Sequence, residues 1–354
     1  MNITYLLGAG ASFEALPIVD QIPNKLQAFA NAFRINNFEF TVLNEQKSNI
    51  AEKHLFRFSS KEDQKREYEK IRKFHEDILW LEQESKKHTS IDTFAKKLYL
   101  QGNTDLKKLK YILSCFFIYE QTFYFDKRYD SFFASILESL SEIPNNLKIL
   151  SWNYDSQLEI AFSNFSNTTV EKSRENLNII SKGNNISSDK KNNNFSIFKI
   201  NGTTSIKDSN NKTYDLIENY HIDKVSLVSK FLEAYKSTGL FSTIIPNMSF
   251  AWEDFGKELK FYSDLRDSVK NTDILIVIGY SFPFFNRKID KFILDSMDDL
   301  TKIHVQDPDN AESIIQKING LMPVSKRIST NQKINQITYE SKTFTDQFFI
   351  PIEF

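Results

Sequence analysis

Three apolar runs far apart in the chain, residues 3–7, 147–150 and 274–278, end in the same kind of break. Gly8-Ala9-Gly10-Ala11-Ser12 follows the first, Asn153-Tyr154-Asp155 lies just past the second, and Gly279-Tyr280-Ser281 follows the third. Short continuous apolar runs bounded by glycine or polar turns read as strands buried on both faces, the pattern of a parallel sheet. In open α/β sheets the residues just past the carboxyl ends of the strands face the crevice where ligands bind. The chain is therefore expected to be an α/β protein with a Rossmann-like, doubly wound, mainly parallel sheet. Three remote segments should meet at one edge of it and outline a nucleotide pocket.

The rest of the chain divides around those runs. From residue 25 to 146 there is one glycine, Gly102, and no proline before Pro144. Apolar residues recur three and four apart, as in Phe116, Phe117, Tyr119, Phe123 and Tyr124, which predicts a helical insertion or subdomain over 25–146. The sheet domain is then discontinuous, 1–24 and 147–354. Within the insertion Ser90 is placed to cap a helix over 91–98. Residues 164–194 are rich in Asn, Ser and Lys and are expected to form a loop. Further on, a strand over 195–200 and a helix near 225–235 are expected. Helices over 252–269, 287–297 and 311–319 then alternate with the strand 302–306 and the segment 334–340.

Composition removes several classes of partner. Lys and Arg number 45 against 46 Asp and Glu, so no net field draws the chain to a nucleic-acid backbone or an anionic membrane. The single cysteine, Cys115, excludes an intrachain disulfide and a zinc site built on paired cysteines. No metal is expected. No apolar stretch approaches the roughly 18 residues of a membrane span, and the chain enters a strand at residue 3 instead of a basic leader. A cytoplasmic location is the expectation.

Gly8-x-Gly10 gives a tight turn that lets backbone approach a pyrophosphate. The third position of the usual dinucleotide fingerprint is Phe13, and no acidic residue closes a second strand about 20 residues on, so a standard dehydrogenase is disfavoured. Asn153 and Asp155 would project from the carboxyl edge, where an amide and a carboxylate can orient a ribose or a water. The same pair can instead cap the helix that starts near Ser156. Gly279-Tyr280-Ser281 carries the same ambiguity, with Asn286 and Asp290 following at helix-start spacing.

Together with Leu16-Pro17, Lys199-Ile200-Asn201-Gly202, Phe282-Pro283 and Val305-Gln306-Asp307-Pro308, these segments resemble the sirtuin-like (Sir2-like) domain of bacterial antiphage defence proteins. The resemblance spans roughly residues 1–24 and 147–310. It implies an NAD hydrolase that cleaves NAD to nicotinamide and ADP-ribose and so depletes an infected cell. It also implies restraint, either by a sensor protein encoded nearby or by homo-oligomerisation. The alternative is a non-catalytic regulatory subunit that binds NAD or ADP-ribose. Deacylase sirtuins carry four zinc-binding cysteines and an Asp-Phe-Arg after the glycine turn. Here there is one cysteine, and Ile18-Val19-Asp20 stands near the latter position, so protein deacylation is disfavoured.

By resemblance Asn153 places the nicotinamide ribose and a water, and Asp155 steadies the loop or the developing positive charge. The position of the family's catalytic histidine is Asn201, which can bond a ribose hydroxyl but cannot take a proton at neutral pH. His221 is the nearest downstream histidine. His54, His75 and His88 fall in the insertion and His304 within a strand. The implied NAD contacts are Gly8, Ala9, Gly10, Ala11, Ser12, Pro17, Gly279, Tyr280, Ser281, Asn286, Asp290 and Asp307. The aromatic-rich stretch 111–133 is expected to pack on the sheet domain and on another subunit.

Overall fold

A computed structural model describes residues 1–42, 54–139, 142–182, 195–207, 213–214, 227, 230–232, 235, 245–253, 258–323 and 337–354. By their contacts the residues separate into two compact units: 1–16, 123–203 and 247–354 form one, and 17–122 with 204–246 the other.

The first unit is the sheet. Its strands are β1 (Ile3–Leu7), β4 (Leu147–Ser151), β5 (Ile179–Ser181), β6 (Ser196–Lys199), β10 (Ile274–Ile278), β11 (Lys302–Gln306) and β12 (Thr338–Lys342); the second unit holds β2, β3 and β7 to β9. All seven strands run parallel in the order β12-β11-β10-β1-β4-β6-β5. The chain leaves β1 toward β4 on one side and later returns to β10 on the other, which makes the β1–β10 seam the point where winding reverses. Both faces are covered, so the alternation along each strand divides apolar residues between two cores. Ile3, Tyr5 and Leu7 point to one side with α5 (Lys127–Ile136) and α6 (Gln157–Ser166). Leu6, Leu275 and Val277 point to the other, where α8 (Leu259–Val269), α9 (Arg287–Ser296) and α10 (Ala311–Leu321) pack.

After β12 the chain crosses back over the α5 face as an extended strap. The Gln306 amide fixes it from below, donating from Nε2 to the carbonyls of Phe344 (2.8 Å) and Gln347 (2.7 Å) and accepting from Phe349 N–H (2.9 Å). Tyr5 Oη donates to the Phe349 carbonyl, and Phe348 is buried against Tyr129 and Phe132.

Two expectations change in this unit. Of the segment expected as a loop over 164–194, residues 164–182 carry regular structure and 183–194 lie outside the described residues: Thr169 caps α7 (Val170–Asn176) by accepting from Lys172 N–H, Val170 and Leu177 are buried, and β5 adds an edge strand. A few apolar residues at the right spacing suffice when a cap and a sheet edge satisfy the backbone. The helix expected from 252 begins at Leu259; of the segment expected over 334–340, residues 338–340 lie in β12 and 334–336 lie outside the described residues.

The second unit contains α1 (Ile22–Ala32), α2 (Lys61–Lys87), α3 (Ile91–Leu100) and α4 (Asp105–Phe123, whose last residue falls in the sheet unit). Pro23 sits in the first turn of α1, where its missing N–H costs nothing. Ser60 and Ser90 cap α2 and α3, each accepting from the N–H three residues on. Aromatic rings fill the core: Phe29, Phe33 and Phe74 meet edge to face at 4.9–6.3 Å, and Tyr111 Oη donates to the Phe231 carbonyl. The unit is not wholly helical. β2 (Phe38–Val42) and β3 (His54–Phe58) form a parallel pair, and β7 (Ile206–Lys207) pairs antiparallel with β8 (Thr213–Tyr214) and β9 (Ile245–Pro246). Of the aromatic stretch 111–133, Tyr111, Phe116, Phe117, Tyr129, Phe132 and Phe133 are buried, and Tyr124 is exposed. Among the described residues no helix is long and apolar enough to cross a membrane.

Candidate functional site

The carboxyl ends of β1, β4, β6 and β10 carry the loops the motifs singled out. After β1, Ala9–Ser12 form a 3-10 turn. Three amides in and just before it are engaged within the protein: Gly8 N–H donates to the Ile278 carbonyl, Gly10 N–H to that of Gly279, and Ala11 N–H to that of Gly8, all at 2.9–3.0 Å. The glycines here serve contact between two loops. Gly279 has φ +59°, and a Cβ on it would stand 2.4 Å from the Gly10 carbonyl carbon. A side chain at Gly8 would meet Gly279 and Tyr280 at 2.6 Å. Phe13, in place of the fingerprint's third glycine, lays its half-exposed ring over the Arg128 guanidinium at 4.2 Å.

The loop after β10 is likewise turned on itself. Asn286 Nδ2 donates to Tyr280 Oη, which donates to the Asp290 carboxyl at 2.8 and 3.0 Å. Tyr280 stacks on Trp152, ring centroids 5.6 Å apart. Burial pushes the Asp290 carboxyl well above its ordinary value, against the hydrogen bond from Tyr280. Ser281 is exposed, and its carbonyl accepts from Lys317 Nζ. Asp307 caps the turn before α10, its Oδ1 accepting from the N–H groups of Asp309 and Asn310. Ala9 is exposed, and Pro17 is a buried residue of the second unit.

The ends of β4 and β6 differ. Asn153 is 9% exposed, and its Nδ2 donates to the Gly8 carbonyl (2.8 Å) and to Ser12 Oγ (3.2 Å). A carbonyl oxygen only accepts, so this geometry fixes which end of the amide is nitrogen and leaves Oδ1 with no protein partner. Asn201 repeats the arrangement. Its Nδ2 donates to the Trp152 carbonyl at 3.1 Å, and its buried Oδ1 has no partner. Asp155, 3% exposed, accepts from Gln157 N–H on Oδ1, while its Oδ2 makes no hydrogen bond of normal geometry. Burial raises the Asp155 carboxyl, opposed chiefly by the Lys199 ammonium and also by the Ser12 hydroxyl.

These side chains are firmly held. Lys199, fully buried at the end of β6, donates to the Asp155 carbonyl at 2.6 Å and pairs with Glu159 at 3.2 Å. Gly202 has φ +77°, and a Cβ there would fall 2.0 Å from the Asn247 carbonyl oxygen, so residues 247–249 lie directly on this turn. Ser249 N–H donates to the Asn201 carbonyl, and Tyr154 Oη donates to that of Ser249.

Lys199 has a signal in the sequence, a charge closing the short strand Ser196–Lys199 after Ile197 and Phe198. Glu159, Asp126, Arg128 and Tyr129 had none. His221 lies outside the described residues. His75 and His88 bond backbone carbonyls of the second unit, His54 is in β3, and His304 sits mid-strand in β11 beside Glu340. No protein-family model matches the chain, and no curated protein matches its sequence.

Proposed function

We propose that the chain is an NAD glycohydrolase, converting NAD and water to nicotinamide, ADP-ribose and a proton, and that it acts as an antiphage effector restrained by a partner or by self-association. The observation that carries this reading is a set of three side-chain oxygens that make no hydrogen bond of normal geometry, Asn153 Oδ1 and the buried Asp155 Oδ2 and Asn201 Oδ1, on two neighbouring strand ends. Buried acceptors left unpaired are costly, and they suit a ligand that brings hydroxyl donors or positive charge. The nicotinamide ribose of NAD brings both: a diol to donate, and a ribosyl centre that becomes cationic as the glycosidic bond breaks.

The residues divide the work accordingly. Asn153 and Asn201 accept from ribose hydroxyls or the attacking water. Asp155 provides negative potential for the ribosyl cation, and Lys199 with Glu159 fixes the loop that holds it. Preorganised dipoles of this kind stabilise developing charge without reorganising during the reaction. Nicotinamide leaves as a neutral molecule, so departure needs no general acid. The proton of the attacking water passes to solvent or to the Asp155 carboxylate.

Asn201 in the place of the family histidine favours the second reading, a subunit that binds NAD or ADP-ribose without cleaving it. Nicotinamide release from NAD by the purified protein, alone and with the products of neighbouring genes, separates the two. Release in any of these conditions supports the hydrolase; binding of NAD by calorimetry with no release in all of them replaces it with the regulatory subunit.

A further inference from the structure

The first turn of α5 belongs to the region expected as a separate insertion, yet its side chains reach into the glycine turn more than a hundred residues earlier. Asp126 caps the helix, accepting from Arg128 N–H, and its carboxylate receives the Arg128 guanidinium at 2.5–2.9 Å. The same guanidinium donates to the carbonyls of Gly10 (3.2 Å) and Ala11 (3.0 Å). Tyr129 is next. Its ring is buried edge-on against Phe348 of the strap, and its hydroxyl lies 2.8 Å from Ser12 Oγ. Ser12 Oγ in turn accepts from Asn153 Nδ2.

We propose that Tyr129 is a positioning residue of the candidate site: through Ser12 it holds the Asn153 amide so that Oδ1 is presented to the ligand. This rests on the glycohydrolase reading for its substrate. The Asn153 amide has two N–H bonds to spend. The one to the Gly8 carbonyl is fixed by backbone; the other goes to a hydroxyl on a rotatable side chain. A serine hydroxyl can turn through three rotamers, so a single donor cannot hold it. Tyr129, immobilised between the strap and the sheet, fixes where that oxygen sits. Asp155 lies near the same buried group: its charge pushes the Tyr129 hydroxyl up, and the Ser12 hydroxyl pulls the Asp155 carboxyl down against its burial. Tyr129 makes no hydrogen bond to any of the three free oxygens, which makes its effect indirect.

The test is steady-state kinetics of nicotinamide release for Tyr129→Phe, Ser12→Ala and the double variant, each with its unfolding midpoint. Tyr129→Phe keeps the ring that packs on Phe348 and is expected to fold. It should lower kcat about tenfold with KM changed less than about twofold, the scale of one lost positioning hydrogen bond. Ser12→Ala should do at least as much, and the double variant should be no slower than Ser12→Ala alone, because both break one chain of contacts. Additive losses, an unchanged kcat for Tyr129→Phe, or a loss that tracks the unfolding midpoint overturns the proposal. If wild type releases no nicotinamide in any condition, the glycohydrolase reading fails separately. ADP-ribose calorimetry then decides the positioning role: several-fold weaker binding by Tyr129→Phe supports it, and equal binding, or no binding by wild type, overturns it.

Discussion

Two pairs of loops at the same edge of the sheet spend their polar groups in opposite ways. Where the turn after β1 meets the loop after β10, Gly8, Gly10 and Ala11 direct their amides inward, and Tyr280, Asn286 and Asp290 satisfy one another. Where the loops after β4 and β6 lie side by side, the nitrogen ends of Asn153 and Asn201 are used to brace the backbone and the oxygen ends are not used at all. The glycine-rich segment, the more conspicuous motif, is a packed joint. The less conspicuous Asn-x-Asp and Asn-Gly segments hold the unspent chemistry, next to a joint rigid enough to aim it.

Breaking the joint should have the largest effect. Gly279→Ala places a side chain at positive φ and against the Gly10 backbone, and should cost about 3 kcal/mol or more in urea unfolding. A loss under about 1 kcal/mol would show that the two loops part easily. On the other side of the comparison, Asn153→Ala should cut nicotinamide release by at least about a hundredfold. It also removes two braces, so a loss of about 1–3 kcal/mol in stability should accompany it. Asn201→Ala should slow hydrolysis by roughly tens to a hundredfold, and Asn201→His should retain or raise the wild-type rate. A silent Asn201→Ala in an active enzyme would move attention to His221.

A pH titration sharpens the contrast. Burial holds the Asp290 proton more tightly in the folded than in the unfolded chain, where the ordinary value is 3.8, so stability falls as pH rises above about 4 toward the folded value. Asp155 contributes with the same sign. Asp290→Asn keeps an acceptor for Tyr280 and removes its share of that slope. Its gain in unfolding free energy over wild type should be larger at pH 8 than at pH 4; equal gains at both would mean the carboxyl titrates normally. The smallest effect on stability belongs to Asp307→Ala, about 1 kcal/mol or less from one lost turn cap in urea unfolding.

The centre of the sheet could be read in advance because β1, β4 and β10 each carry a mostly apolar run with a glycine or polar stop. Asn153 and Asp155 stand out as polar residues directly past such a run, open to either a ligand or a helix start, and Asn201 enters as a candidate by resemblance; Asp155 Oδ1 does accept from Gln157 N–H at that helix start. What could not be read was the spending of each hydrogen bond. Nothing local distinguishes an asparagine whose nitrogen is engaged from one whose oxygen is. Nor does any period connect Tyr129 to Ser12, or Lys199 to Glu159, because these pairs exist only once the sheet has gathered its strands. β5 was missed because its three residues sit in a polar segment and take their order from the neighbouring strand.

The central position of β1 also governs how this protein is made. β1 is flanked by β4 and β10, and the side-chain bond that joins Thr4 to Thr272 links residues 268 apart. A ribosome must therefore add most of the chain before the innermost strand gains its second neighbour. Until then one whole edge of hydrogen-bonding groups on β1 stands open, a condition that favours slow folding and chance pairing with other nascent chains. Holding that edge during synthesis is a task suited to a chaperone, and slowed translation before β10 should lower the soluble yield.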